Sequence, residues 1–424
     1  MKSKYNFEYT RKNGEHIIYN TYSKAILSLN DEEYASYAKS EYTDEMNKAL
    51  TENGILVSDD FDETKYLKYL HFKAKFSKEV LHLTIAPTLD CNFDCPYCYE
   101  NRRSGKMTEE IQNALIEYIE NKVGEGVRLI DIAWYGGEPL LCMDVVENLS
   151  RKIKSVADKN RCELKMYMVT NGYLLTEDIV RVLDEIGIYR VQITLDGLEE
   201  HHDARRPLRN GGKTFSKIFE NLKYFADYSI DVIIRMNVDN ENQVDYIGLK
   251  QKLDELDNPL ISLYPSPVED INEDKENNVS KFMTNSEFDE FTIDTCDKGR
   301  ITRDDFDVVD DRCAFCSGET ENSYVIDSNG DFYKCWDEIG RQENRCFNIL
   351  NPNKINYSTL FRFVVDSPFD DETCRNCVYL PLCFGGCKFQ RNKLKKSVCG
   401  FNKEIMVEYL ETFFFDNEDK GVRK

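Results

Sequence analysis

The chain holds 15 cysteines, and three of them, Cys91, Cys95 and Cys98, crowd into the stretch CNFDCPYCYE at residues 91–100. Three thiols cannot pair off among themselves. The start, MKSKYNFEYT, has no apolar signal region, so the chain reads as cytoplasmic, where clustered thiols serve metals or catalysis rather than disulfides. A four-iron, four-sulfur cluster takes one thiolate per iron, so three ligands leave one iron open to a small molecule. Two readings compete with it: a zinc knuckle completed by a fourth Cys or His, and accidental clustering. Further along, CSGETENSYVIDSNGDFYKC and CRNCVYLPLCFGGC repeat the theme with Cys316, Cys335, Cys374, Cys377, Cys383 and Cys387, flanked by Cys313 and Cys399.

These thiols need elements to position them. From Leu81, short β-rich runs alternate with helical ones: LHLTIAPT, LIDIAWYGG, KMYMVTNG, YRVQITLDG, DVIIRMNVD and LISLYPSPV. Between the first two, Ile111, Leu115, Tyr118 and Ile119 recur at helical spacing. Six strands alternating with helices predict an α/β fold, a parallel sheet curved into a partial (β/α)6 barrel, with active residues at the strand C-terminal ends. Cys91, Cys95 and Cys98 follow the first of those strands.

Ahead of the barrel, YNFEYTRKNGEHIIYN predicts a hairpin turning at Asn13 and Gly14. Helical segments follow, with Asn30 and Thr43 as N-caps and Gly54 as a stop. The acidic run SDDFDETKY then reads as a connector. Beyond residue 268 comes a polar bridge, and from Cys313 to Cys399 short elements and dense cysteines describe a domain organised around metal. In it, the pair Asn329 and Gly330 predicts a turn between two β-like runs. The expected boundaries are 1–80, 81–270, 271–310, 311–400 and, for a C-terminal helix and tail, 401–424.

At this point the sequence resembles the radical S-adenosylmethionine enzymes, whose signature has the spacing of Cys91, Cys95 and Cys98 with an aromatic residue, here Tyr97, before the third cysteine. The resemblance implies a 5′-deoxyadenosyl radical made from S-adenosylmethionine bound at the open iron. Companion motifs fall at successive strand ends. WYGGEP supplies Gly136, Gly137 and Glu138, the last by resemblance holding the methionyl amino group; the glycines allow close backbone approach to a ligand. VTNG supplies Thr170 and Asn171, and ITLDG supplies Thr194 and Asp196; ligand contact and plain strand-end turns both remain open for Thr170, Asn171 and Asp196. HHDARRP makes Arg206 the candidate fork for the cofactor carboxylate.

The C-terminal cysteines resemble the SPASM extension of the same superfamily, which carries two auxiliary four-iron, four-sulfur clusters, three clusters in all. By resemblance, Cys316, Cys335, Cys387 and Cys313 hold the first auxiliary cluster, and Cys374, Cys377, Cys383 and Cys399 hold the second. Cys296, or substrate, could replace Cys313. Two zinc ribbons are the competing reading.

The formal charge of −22, from 77 acidic and 55 basic residues, with no basic stripe, excludes a phosphate-backbone partner, and no run is apolar enough to span a bilayer. Within SPASM enzymes, substrates are commonly proteins or ribosomally made peptides. The N-terminal segment resembles the leader-recognition domain of peptide maturases, which adds a leader strand to a sheet edge; the alternative is a cap on the barrel. The resemblance therefore implies a maturase that installs a thioether or carbon–carbon cross-link in a precursor peptide, served by an electron donor such as flavodoxin or ferredoxin. An alternative is an anaerobic sulfatase-maturating enzyme that forms formylglycine. There an Asp base follows the cysteine aligned with Cys335, whereas this chain has Trp336, then Asp337 and Glu338, which are candidate bases or solvated acids. A non-catalytic iron–sulfur scaffold is the second alternative, and it would not need Glu138 or Arg206.

Overall fold

The computed structural model describes residues 1–268, 282–297, 314–396, 398–399, 403 and 405–415. They fall into two compact units, one from the described residues of Met1–Phe76, Phe306–Thr320 and Val364–Lys424, the other from those of Ser77–Asp305 and Glu321–Phe363.

In the first unit, β1 (Asn6–Thr10) and β2 (His16–Asn20) form the expected hairpin, with Gly14 at φ 94° where a side chain would be strained. A third strand, β3 (Ile26–Leu29), pairs antiparallel with β2, so β1 and β3 are the sheet's edges. It is too short and too little alternating to be read from its residues. Asn30 caps α1 (Asp31–Lys39) by accepting from the Glu32 and Glu33 amides, while the Glu33 carboxylate reaches back to the Asn30 amide at 2.9 Å. Thr43 caps α2 (Asp44–Glu52). These elements enclose a core of Ile18, Leu29, Tyr37, Leu50, Ile55 and Leu56. The expected connector is shorter than its acidity suggested, because Asp62 caps α3 (Glu63–Lys75). Acids at a helix start satisfy free amides and suit the helix dipole, so the same residues that resemble a linker also begin a helix. Leu67 of α3 packs with Tyr5, Phe369, Leu380 and Phe384, and the C-terminal helix Met406–Leu410 packs with Tyr19, Tyr379 and Leu382.

In the second unit, the six expected strands are β4 (Val80–Ile85), β5 (Leu129–Trp134), β6 (Glu163–Thr170), β7 (Ile188–Thr194), β8 (Asp231–Val238) and β9 (Ile261–Pro267), all parallel and in sequence order. Their interior positions, among them Ile130, Ile132, Met168, Ile193 and Ile234, are fully or nearly fully buried. Helices α4 (Glu109–Gly124), α5 (Met143–Asn160), α6 (Glu177–Ile186), α7 (Glu199–Arg205), α8 (Phe215–Asn221) and α9 (Tyr246–Asp254) alternate with them, and α4 buries Ile111, Leu115 and Ile119 as its spacing predicted.

The sheet does not stop at β4. The cysteine-rich region adds β10 (Ser323–Ile326), β11 (Asp331–Tyr333) and β12 (Phe347–Asn348), giving the order β12-β11-β10-β4-β5-β6-β7-β8-β9. β10 runs parallel to β4, Ser323 opposite His82 and Ile326 opposite Ile85, and β11 returns antiparallel across a turn with Gly330 at φ 75°. Residues 321–363 therefore belong to the barrel's unit, and the stretch 311–400 is not one body. The reason is the free edge of β4: a strand of buried Ser323, Tyr324, Val325 and Ile326 can satisfy that edge's amides and carbonyls. No helix among the described residues is long and apolar enough to cross a membrane.

Candidate functional site

The loop after β4 carries Cys91, Cys95 and Cys98, and sequence neighbours alone do not hold it. Phe93 forms an isolated antiparallel bridge with Leu208, in which the Asp94 amide donates to Pro207 at 2.9 Å and the Arg209 amide to Asn92 at 3.0 Å. The same loop rests on the segment after β5. At Gly136, φ is 111° and a Cβ would stand 2.4 Å from the Thr88 carbonyl; at Gly137 it would stand 2.2 Å from the Asp90 carbonyl. These glycines admit the protein's own cysteine loop, where the motif alone suggested close approach to a ligand.

Glu138 is fully buried and links two strand ends, those of β5 and β6. Its Oε1 accepts from the Leu140 amide at 3.0 Å and the Thr170 hydroxyl at 2.7 Å, and its Oε2 accepts from the Asn171 amide at 2.7 Å. A carboxylate offers roughly four lone-pair positions, so one acceptor position remains. Burial raises its pKa, and the three donors pull the other way. Asn171 makes a local turn by accepting from the Tyr173 amide, and also donates to the Asn92 side chain at 2.8 Å and towards Cys91 Sγ at 3.9 Å. Asn171 is thus a turn former, as one of its two readings had it, and it also fastens the cysteine loop to the end of β6.

Asp196 anchors a second knot. It is fully buried, yet its pKa is lowered, because Arg206 and Arg205 outweigh the burial that would raise it. Tyr97 donates its hydroxyl to Asp196 and accepts from Arg206 Nη1 at 2.6 Å. Asn237, at the end of β8, donates to Asp196 from both backbone and side chain at 3.1 Å. The aromatic residue before the third cysteine is therefore the link between the cysteine loop and the arginine. Arg206 is nearly buried, and its Nε has no hydrogen-bond partner. His202 sits beneath, fully buried and held down to about 3 by burial and then by Arg206. It is neutral, so Nδ1 accepts from the Asp196 amide at 3.1 Å and Nε2 donates to Thr214 Oγ1 at 3.1 Å, whose hydroxyl goes on to the Arg206 carbonyl at 2.7 Å. Thr194 is buried at the last position of β7.

His202 and Asn237 were not singled out from the residues. Their signal was the polar composition at strand ends, in HHDARRP and in MNVDN.

The donor set fits a thiolate-bound cluster. Burial, then the Glu138 charge, pushes Cys91 up to about 12, and burial raises Cys95 as well, so ionising these thiols calls for cationic partners such as metal. Among the described residues no three His, Cys, Asp or Glu side chains form a single-ion site; a cluster that gives each thiolate its own iron does not require them to meet at one point.

Beside this loop lies an aromatic group. Tyr99 and Tyr135 join through their hydroxyls, and the Tyr135 ring lies 4.8 Å from that of Trp336. Cys335 Sγ is 3.5 Å from Asp337 Oδ2. Glu338 is not a solvated acid: it is buried, bonded by Arg362 at 2.5 Å, and pushed up to about 7 by burial. Asp337, half-buried, keeps its candidacy as a base on position alone.

In the other unit, Cys374 and Cys377 lie half-buried, Cys383 is buried, Cys387 is half-buried and Cys399 is exposed. Cys316 is exposed as a residue, yet its thiol is surrounded closely enough to be pushed up to about 12, by burial and then by Glu319 and Cys387. Cys313 lies outside the described residues, as does the side chain of Cys296.

Residues 85–253 match the family model of the radical SAM superfamily. A cysteine-type anaerobic sulfatase-maturating enzyme of Clostridium novyi (strain NT) is 28% identical over 371 residues, covering 80% of this chain and 96% of that protein. The solved structure of native anSMEcpe with bound AdoMet superposes with a TM-score of 0.62 at 22% identity, covering 81% of this chain and 100% of that one. The crystal structure of Streptococcus suis SuiB bound to the precursor peptide SuiA superposes with a TM-score of 0.53 at 16% identity, covering 95% of this chain and 98% of that one. Residues 85–253 thus form a radical SAM domain, and the chain's fold is shared with anSMEcpe and SuiB.

Proposed function

We propose that this radical SAM enzyme matures a ribosomally made precursor peptide by installing a thioether or carbon–carbon cross-link. The observation that carries the reading is the N-terminal module: a three-stranded sheet whose edges, β1 and β3, pair with no further strand among the described residues, two capped helices and a core of its own. It precedes the barrel in a fold whose likeness to the peptide-bound SuiB structure takes in 95% of this chain, against 81% for anSMEcpe. A free edge offers an extended leader a row of backbone donors and acceptors. Holding the leader there raises the local concentration of the peptide to be modified.

When bound, a reduced cluster and S-adenosylmethionine supply the 5′-deoxyadenosyl radical that removes a hydrogen atom from the peptide. The chain's own residues do the rest. Cys91, Cys95 and Cys98 hold the cluster; Glu138 offers its remaining acceptor position to the cofactor's ammonium, and Arg206 its free Nε–H to the carboxylate. Gly136 and Gly137 seat the loop, and Asn171, Tyr97 and Asp196 keep the loop and the arginine in register. Asp337 is the candidate base for the proton that leaves the peptide. The C-terminal cysteines would hold two auxiliary clusters that accept the electron released as the new bond forms, and a flavodoxin or ferredoxin would deliver the electron that reduces the first cluster.

A second reading, formation of formylglycine in a sulfatase, has the Clostridium novyi relative in its favour. The tests separate the two. Anaerobic incubation of the reduced full-length protein with S-adenosylmethionine should release 5′-deoxyadenosine, and its absence would defeat both. With the peptide encoded beside this gene, mass spectrometry should show a loss of about two hydrogens per cross-link; conversion of a sulfatase-derived peptide instead would establish the second reading.

A further inference from the structure

In a chain of formal charge −22, the thiols of the C-terminal unit lie among cations. Arg391 Nη1 donates to Cys374 Sγ at 3.4 Å, and Lys403 hydrogen-bonds Cys377 and Cys399. The third group is different, because its charges are buried and meet on a backbone carbonyl. Lys75, the last residue of α3, is fully buried, and Lys388, which follows Cys387, is nearly so. Both ammonium groups donate to one acceptor, the Asp366 carbonyl, at 3.0 and 2.8 Å. Glu319 is buried beside them, and neither of its carboxylate oxygens has a hydrogen-bond partner. Both lysines lie within electrostatic reach of the Cys316 sulfur, and Cys316 within reach of Cys387.

Burying an ammonium is costly unless a compensating charge is near. Here two buried ammonium groups converge on one carbonyl, with the carboxylates of buried Glu319 and exposed Asp366 both in electrostatic reach. Packing alone gives no reason to bring a second ammonium here: the buried residues of α3 are Glu63, Leu67, His71 and Lys75, and only Leu67 is apolar. An anionic group at Cys316 and Cys387 would give one.

We propose that Lys75 and Lys388 are the buried counter-charges of an iron–sulfur cluster held in part by Cys316 and Cys387, and that they set its reduction potential. The inference rests on the reading of those cysteines as auxiliary-cluster ligands. One-electron reduction adds one negative charge to the cluster. Fixed cations nearby stabilise the reduced form more than the oxidised form and raise the midpoint potential. Because Lys75 comes from α3, the N-terminal segment takes part in tuning that cluster.

The test uses the full chain, reconstituted anaerobically, with iron analysis and an EPR-monitored redox titration on the same samples. In Lys75→Met and Lys388→Met, the midpoint of one cluster should move to a more negative value while the others stay put, and Lys75→Arg and Lys388→Arg should keep the wild-type value. Iron loss in the Met variants that the Arg variants restore also supports the counter-charge. Unchanged midpoints at full iron content would overturn the proposal, as would equal iron loss in Met and Arg variants, which marks a packing role. Wild-type protein holding iron for one cluster only would defeat the underlying reading instead, and with it the proposal.

Discussion

The two cysteine regions are built on opposite plans. The loop with Cys91, Cys95 and Cys98 is held by strand ends, by a bridge to residues 207–209 and by a buried network through Glu138, Asn171, Tyr97 and Asp196. Cys374, Cys377 and Cys383 instead sit on or beside helices of four residues, Glu372–Arg375 and Leu380–Cys383, and Cys387 stands at the N-cap of one of seven, Lys388–Leu394, with cations nearby. In the first region the fold makes the site. In the second, the helices are too short to be stable alone and lean on the core of Phe369, Leu380, Leu382 and Phe384; on the proposed reading, ligand bonds would add to that order.

The contrast predicts its own largest effect. Removing iron should cost the segment 372–394 most of its amide-exchange protection while β5 to β8 keep theirs; equal loss in both regions would erase the distinction. Next, Gly137→Ala should disturb only the first region. Its Cβ would overlap the Asp90 carbonyl, so we expect a loss of up to about 3 kcal/mol in stability, typical of overpacking, and poor iron loading at Cys91, Cys95 and Cys98, read from the melting curve and iron analysis. Glu138→Gln should cost about 1–3 kcal/mol of stability, because its amide NH2 would face donors that now meet a carboxylate, and should weaken S-adenosylmethionine binding to the folded protein by about 2 kcal/mol, the scale of a hydrogen bond to a charged group, measured by equilibrium dialysis.

The smallest effect is a pH slope. His202 stays neutral down to about 3 in the folded chain, against 6.5 ordinarily. Between those values the unfolded chain binds a proton that the folded chain refuses, so stability falls as pH drops below 6.5. The slope is about 1.4 kcal/mol per pH unit while the difference lasts. Denaturation midpoints for wild type and His202→Asn between pH 5 and 7 should diverge in this sense; parallel curves would show that the histidine is not held neutral.

Much of the first region was legible in the sequence. Six apolar runs gave six strands, and the motif residues lie at their ends because a parallel sheet puts successive C-termini on one side. Asn30 and Thr43 were readable as caps since capping is local chemistry. What stayed hidden depends on distant partners. Nothing near Ser323 says that it will lie beside His82, and nothing near Lys75 says that it will share a carbonyl with Lys388. Gly136 and Gly137 were legible as sites of close approach, but what approaches is the chain's own loop.

The seventh parallel strand has a consequence for biogenesis. β10 completes the sheet beside β4, yet over half of the chain's length separates them. A ribosome releasing the polypeptide would expose β4 as a bare edge until the hairpin of residues 323–333 emerged. Closing so long a loop is slow, and nascent chains would meanwhile be open to mispairing. Truncation before residue 323 should therefore yield insoluble product rather than an isolated working barrel, and insertion of iron is best timed after the whole polypeptide has left the ribosome.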